Sequence, residues 1–132
     1  CPSGSDDIAA VNAFGALLHT YYAPLEAICA SIPLPPHSVV DDNGQVITKP
    51  SANALSFKKR PELSKQILLS GHLDTVFQRN HPFKDVHRID QHTIKGPGVS
   101  DMKGGLVILL YALLALERSP YAPRLGWQIL LT

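Results

Sequence analysis

The sequence predicts an α/β fold built on a parallel β–α–β unit, on three observations. The run Gln66–Ser70 (Gln-Ile-Leu-Leu-Ser) has the length and composition of a buried strand and ends at Gly71-His72. The run Gly126–Leu131 reads the same way. Between them, after a polar stretch, lies an apolar helical segment from about Asp101 to Glu117, so strand, crossover ending in a helix, and strand follow in order. Such crossovers are almost always right-handed. Ligands in such sheets gather beyond the carboxyl ends of the strands, where His72 and Thr132 stand.

The remaining elements follow along the chain. Asp6-Asp7 places negative charge where a helix N-terminus favours it. From Ile8 to about Ile32 apolar residues recur at helical spacing, and Pro24 predicts a kink or two helices. Cys29 falls in that stretch and reads as a buried thiol. Pro33-Leu34-Pro35-Pro36 closes the segment. Asp42-Asn43-Gly44 predicts a hairpin turn between Val39-Val40 and Val46-Ile47. Ala54–Lys58 alternates and is broken by Pro61. The stretch from Thr75 to Ile94 predicts a long polar loop carrying a small hairpin around Val86–Ile89 and Thr93–Lys95. Gly96-Pro97-Gly98 is a tight turn. Leu106–Leu116 is the most apolar run and falls well short of the roughly 20 residues a spanning helix needs, so it predicts a helix buried on all sides.

Composition bounds the function. The chain has 132 residues, 45% of them hydrophobic and 17% charged, enough for one domain with a real core. Its 12 Lys+Arg against 11 Asp+Glu give a formal net charge of +1, which argues against nucleic acid or an anionic membrane as partner. Lys58-Lys59-Arg60 reads as a solvated strand end. Two cysteines, Cys1 and Cys29, make no disulfide framework. Cys1 fits a trimmed chain, or a lipid-modified residue of an exported protein, and no signal peptide stands in the sequence. A cytoplasmic location is the expectation, with export the alternative if a signal peptide was removed before Cys1.

Two motifs carry chemistry. In Gly71-His72-Leu73-Asp74, residues two apart face the same side of an extended chain, so His72 and Asp74 can address one site. Neutral imidazole is a good zinc ligand, and a carboxylate beside it can contact or orient the ring. Taken alone, the pair also reads as a capped strand end. In Lys95-Gly96-Pro97-Gly98-Val99-Ser100-Asp101-Met102-Lys103-Gly104-Gly105, a phosphate loop fails because no Gly precedes Lys103 and no Ser or Thr follows it. A dinucleotide fingerprint fails because Asp101 takes the third Gly position, where an anion would repel a pyrophosphate. The simpler reading is a helix cap at Ser100 or Asp101 with glycines forming the turn.

Joined, a His-x-Asp at a strand end and a Gly-x-Gly-x-x-Asp-x-Lys-Gly-Gly opening an apolar helix are a specific combination. It resembles the di-zinc exopeptidases and deacylases that include glutamate carboxypeptidase, aminoacylase, acetylornithine deacetylase and succinyl-diaminopimelate desuccinylase. The resemblance is densest from about Gln66 to Thr132. It implies a three-layer α/β/α catalytic domain with a mostly parallel sheet, of which residues 1–132 are the N-terminal portion. It further implies that His72 is a zinc ligand, that Asp74 is the acidic residue positioning it, and that Asp101 is the carboxylate bridging two zinc ions, with cobalt as a substitute metal. A cis peptide at Asp101–Met102 goes with that motif in the family. Gly104 and Gly105 are expected to let the helix approach the sheet, and Lys103 has no assigned role.

In such a family the substrate is a small peptide with a free C-terminus or an N-acyl amino acid, and the complete enzyme forms a homodimer. The paired glutamates, later ligands and lid domain that the resemblance implies lie outside these 132 residues. The expectation is therefore a fragment of a zinc-dependent amidohydrolase, inactive alone. A non-catalytic interaction domain keeping this half of the fold is the alternative, and a nucleotide-binding α/β module is disfavoured by the motifs. His19, His37, His81, His87 and His92 read as surface or structural residues.

Overall fold

The computed structural model describes residues 3–132, so Cys1 lies outside the described residues. Helix α1 (Ile8–Tyr22) opens on Asp7, whose Oδ1 accepts a hydrogen bond from the Ala10 amide at 3.0 Å. Pro24 sits in a single 3₁₀ turn, Ala23–Leu25, and Glu26 at φ 51° then reverses the chain. The helical reading of the next residues does not hold. Ile28–Ile32 forms strand β1, and Cys29 is a half-buried strand residue. Its direction is decided by an antiparallel partner, β4 (Ala54–Lys59), which apolar periodicity alone could not reveal.

Strands β2 (His37–Val40) and β3 (Val46–Lys49) form the predicted hairpin, turning through Gly44 at φ 77°. Strand β5 (Gln66–Gly71) is followed by the long loop with its small hairpin, β6 (His87–Arg88) and β7 (Ile94–Lys95). Next comes a broken turn, Val99–Lys103, in which Asp101 (φ −130°, ψ 103°) and Met102 (φ −126°, ψ 23°) leave helical geometry. Helix α2 (Gly104–Glu117) and strand β8 (Gly126–Leu131) complete the chain. The helix thus starts three residues later than the sequence suggests, because Asp101 and Met102 are not helical.

The main sheet has the order β1-β4-β8-β5. β5 and β8 run parallel with α2 between them, the expected unit. β1, β4 and β8 pair antiparallel, so within these residues the α/β sheet is mixed and its parallel character is confined to β5 and β8. Every second residue of β8, Trp127, Ile129 and Leu131, points into one core with Leu55 and Phe57 of β4. Val11, Phe14, Leu18 and Tyr22 of α1 and Leu106, Leu110 and Leu113 of α2 close it. The Tyr22 hydroxyl donates to the Leu106 carbonyl at 2.7 Å, and burial pushes the phenol up to about 12.

Two burial expectations change. β5 is an edge strand and mostly exposed, with Leu68 66% accessible, because among the described residues nothing pairs with its outer side. α2 buries one row and exposes Ile108 (71%) and Tyr111 (67%). The apolar stretch Val99–Glu117 is 19 residues long with mean hydropathy 1.7. Only 14 of those residues form regular helix, about 21 Å long, against a hydrocarbon core of about 30 Å.

At the far end from the motifs, Arg60 donates to Glu117 through both terminal nitrogens and through Nε to the Leu125 carbonyl at 2.8 Å. The Trp127 indole donates to the same carboxylate at 2.9 Å. These contacts tie the ends of β4, α2 and β8 together. The Arg60 hydrogen bond, above all, holds the Glu117 carboxyl below its ordinary 4.5, against the opposing effect of burial. Its stabilising contribution is therefore present above pH 4.5 and is lost as pH falls through the depressed folded value. Glu117→Gln should cost about 2 kcal/mol at neutral pH by urea unfolding, and the difference from wild type should shrink in acid. A difference constant from pH 7 to 3 would contradict this assignment.

Candidate metal centre

The parallel pair determines where the two motifs meet. β5 ends at Gly71, so His72 and Asp74 extend from the carboxyl end of the strand, at the same mouth of the sheet as Thr132. The ladder continues there: the Thr132 amide donates to the Gly71 carbonyl at 3.1 Å and the Leu73 amide to the Thr132 carbonyl at 2.7 Å. On the other side the Thr75 amide donates to the Ser3 carbonyl at 2.7 Å and the Ser5 amide to the Thr75 carbonyl at 3.1 Å. Residues 72–75 are thus held from both flanks.

Gly71 explains how the second motif comes so near. A Cβ there would meet the Met102 Cε at 2.8 Å and Sδ at 3.0 Å, so the absence of a side chain lets the Asp101-Met102 turn lie against the strand end. The His72 amide faces the Met102 sulfur at 3.2 Å. The close approach expected of Gly104 and Gly105 works differently. A Cβ on Gly104 would strike the Val99 carbonyl of its own turn, and one on Gly105 would make only ordinary contact with Met102. The Asp101–Met102 peptide is cis.

His72 stands between two carboxylates. Its Nδ1 lies 2.8 Å from Asp74 Oδ1 and 3.1 Å from the Asp74 carbonyl, and its Nε2 lies 3.0 Å from Asp101 Oδ1. Both neighbours of Nδ1 are acceptors, so that nitrogen carries the proton, and the lone pair of a neutral ring lies on Nε2. That lone pair then faces a carboxylate oxygen. Two acceptors at 3.0 Å need a second ring proton or a cation between them. Burial pulls the imidazole pKa down, but hydrogen bonds to Asp101 and Asp74 and the charge of Asp74 outweigh it, and the pKa stands above its ordinary 6.5. The donor set, an imidazole nitrogen oriented by a carboxylate and a carboxylate facing it, fits a borderline-soft dication such as zinc.

Asp101 is 84% accessible and His72 36%, so the pair is open to solvent. They line a cleft of about 430 Å³ with Asp74, Thr75, Phe77 and Phe83. Phe83 packs edge-on to Phe77 with ring centroids 5.1 Å apart. Among the described residues no three His, Cys, Asp or Glu side chains cluster tightly enough to hold a metal by themselves. His72 and Asp101 supply part of a coordination shell. His19 and His37 line other hollows, and the one beside His37 shares Asp74 with this cleft.

The sequence missed two participants. Lys103 reaches back from the turn to Ser3 Oγ at 2.6 Å with its ammonium 4.1 Å from the Phe14 ring centroid. Ser3 is fully buried and donates to the Leu73 carbonyl at 2.8 Å. No local pattern marks Ser3, since its partners lie 70 and 100 residues away.

Comparison with known proteins bears on the fold that carries these residues. Residues 68–131, which contain His72, Asp74, Asp101 and Lys103, match the model of Peptidase family M20/M25/M40. No curated protein matches the chain in sequence. Among solved structures, human carnosine dipeptidase 1 superposes with TM-score 0.69 at 19% identity, covering 95% of this chain and 26% of that one. The M20 family metallo-carboxypeptidase Sso-CP2 from Sulfolobus solfataricus gives 0.66 at 17%, covering 98% and 27%. A Zn-dependent exopeptidase from Parabacteroides distasonis gives 0.54 at 22%, covering 93% and 38%. Glutaminyl cyclases also share the fold, so the fold alone does not choose the reaction. The chain spans between about a quarter and two fifths of the length of the three structures named. Over residues 68–131 the chain is thus similar to Peptidase family M20/M25/M40, and as a whole it has the α/β fold of the solved M20 and zinc-exopeptidase structures.

Proposed function

We propose that the protein carrying this chain is a zinc-dependent exopeptidase or amidohydrolase, and that residues 1–132 are the N-terminal portion of its catalytic domain. The observation that carries this reading is the placement of His72 Nε2 3.0 Å from Asp101 Oδ1 while Asp74 holds Nδ1. His72 and Asp101 are the metal donors. Asp74 fixes the ring and its tautomer and holds the proton on Nδ1, leaving Nε2 free to donate its lone pair. Asp101 has a second carboxylate oxygen and the negative charge with which it would serve a second ion. When bound, zinc supplies Lewis-acid polarisation of an amide carbonyl and a water acidified toward neutrality.

The chain's own residues otherwise present and shape. The cleft beside Asp101 is walled by Phe77 and Phe83, an apolar surface for a peptide or N-acyl amino acid. A free C-terminal substrate, in the manner of glutamate carboxypeptidase, is the specificity we favour from the motif spelling. Homodimerisation belongs to the same reading of the complete protein. With only two donors, the isolated chain should hold zinc weakly and be inactive.

The test is hydrolysis by the whole protein against a panel of dipeptides and N-acyl amino acids, before and after chelation. Expected is turnover abolished by chelator and restored by zinc or cobalt. Chelator-resistant hydrolysis would contradict the proposed chemistry. Absence of turnover on every substrate, together with absence of bound zinc, would favour a non-catalytic interaction domain.

A further inference from the structure

We propose that Lys103 is a positioning residue: one side chain that locks the segment bearing Asp101 to the segment bearing His72. Lys103 lies two residues after Asp101, at the end of the broken turn, and its amide donates to the Gly98 carbonyl at 2.7 Å. Its head leaves that turn and lands on the other segment's support. Nζ donates to Ser3 Oγ at 2.6 Å and lies 4.1 Å from the Phe14 ring centroid. Ser3 Oγ in turn donates to the Leu73 carbonyl at 2.8 Å, the residue between His72 and Asp74. The path from one metal-donor segment to the other is therefore Asp101 turn, Lys103, Ser3, Leu73.

Three features make this a clamp rather than a chance surface contact. Ser3 is 0% exposed, so its hydroxyl has no water to turn to and is committed to these partners. The ammonium sits on an aromatic face in a part-buried position, where such a contact is worth more than in water. Ser3 also belongs to the backbone pairing that flanks the ligand segment, through Ser3 carbonyl to Thr75 amide and Thr75 carbonyl to Ser5 amide. Pulling Ser3 toward Lys103 thus holds residues 73–75 through two backbone bonds and one hydroxyl.

The turn and the strand end also meet at the His72–Asp101 contact, at the Met102 packing under Gly71 and where Gly98 approaches Thr75. A donor pair whose separation must match a metal benefits from a support independent of the metal. The inference uses the proposed metal reading only in taking His72 and Asp101 as the donors, and its test needs no metal.

The experiment is amide hydrogen exchange and nuclear Overhauser spectroscopy on the whole protein for wild type, Lys103→Met, Ser3→Ala and the double variant. Expected is exchange at the Thr75 and Ser5 amides at least tenfold faster in Lys103→Met, with the Ile129 and Phe57 amides of the central ladder unchanged. The contact between the His72 ring and the Asp101 β-protons should weaken in parallel. Ser3→Ala should open the same amides, and the double variant should be no faster than the more affected single one, because both act in one path. If Lys103→Met does not fold, Ser3→Ala carries the test by itself. Exchange within twofold of wild type with the His72–Asp101 contact intact, or effects that multiply in the double variant, would overturn the clamp. Failure of the wild-type protein to bind zinc would overturn the metal reading and leave these readouts in force.

Discussion

Asp101→Ala is expected to lower kcat/KM of the whole protein by on the order of 10³-fold or more, about 4 kcal/mol of transition-state stabilisation, with loss of bound zinc. The residue is 84% accessible and takes part in no core packing, so its replacement should leave the fold intact. Its carboxylate is the group opposite His72 Nε2, and no other described acidic side chain completes a three-residue cluster there. The check is zinc content by mass spectrometry of the native protein, alongside turnover and unfolding of the same preparations. Asp74→Asn should be milder, about 10–100-fold, because it alters the orientation and tautomer of a ligand rather than removing one. Equal losses for the two variants would mean that Asp74 does more than orient the ring.

Trp127→Ala should cost about 3–5 kcal/mol of folding stability, read as a shift in urea midpoint. The side chain is 1% exposed in the middle of the core, and its indole N–H donates to Glu117 at 2.9 Å. Removing it leaves a cavity beneath β8 and strips one partner from a carboxylate already committed to Arg60. A small domain has only about 5–15 kcal/mol in total, so a large unfolded fraction is the expected outcome. A loss under about 1 kcal/mol would mean that the core collapses around the gap or that Trp127 is not central to it.

The contrast between these two variants separates what positions the site from what does its chemistry, and the sequence showed the two unequally. The β5–α2–β8 unit was legible because its two apolar strands and its apolar helix have lengths and punctuation that only a crossover satisfies. The β2–β3 hairpin was legible from Asp42-Asn43-Gly44, since the turn needs a residue at positive φ and Gly44 supplies it. Ile28–Ile32 was not: Ile28, Cys29 and Ile32 suit a helix face as well as a strand, and the decision came from β4, whose pairing is long-range.

Site residues divide in the same manner. His72 and Asp74 share a side by simple alternation, and Asp101 enters the same cleft because the crossover returns the chain to the mouth from which β5 left it. The exposure of β5 and of Ile108 and Tyr111 on α2 was not legible, since apolar composition states what can be buried and not what covers it. Ser3 and Lys103 were silent for a further reason. A serine near a chain end and a lysine after a turn are ordinary residues until the fold brings them to 2.6 Å.

The convergence of His72 and Asp101 on a single metal ion is tested most directly by crystallography of the zinc-loaded whole protein, with anomalous scattering measured at the zinc edge. The account predicts an anomalous peak within about 2.0–2.2 Å of both His72 Nε2 and an Asp101 carboxylate oxygen, with Asp74 still on Nδ1. A zinc peak coordinated elsewhere, with the His72 and Asp101 side chains turned away from each other, would contradict it.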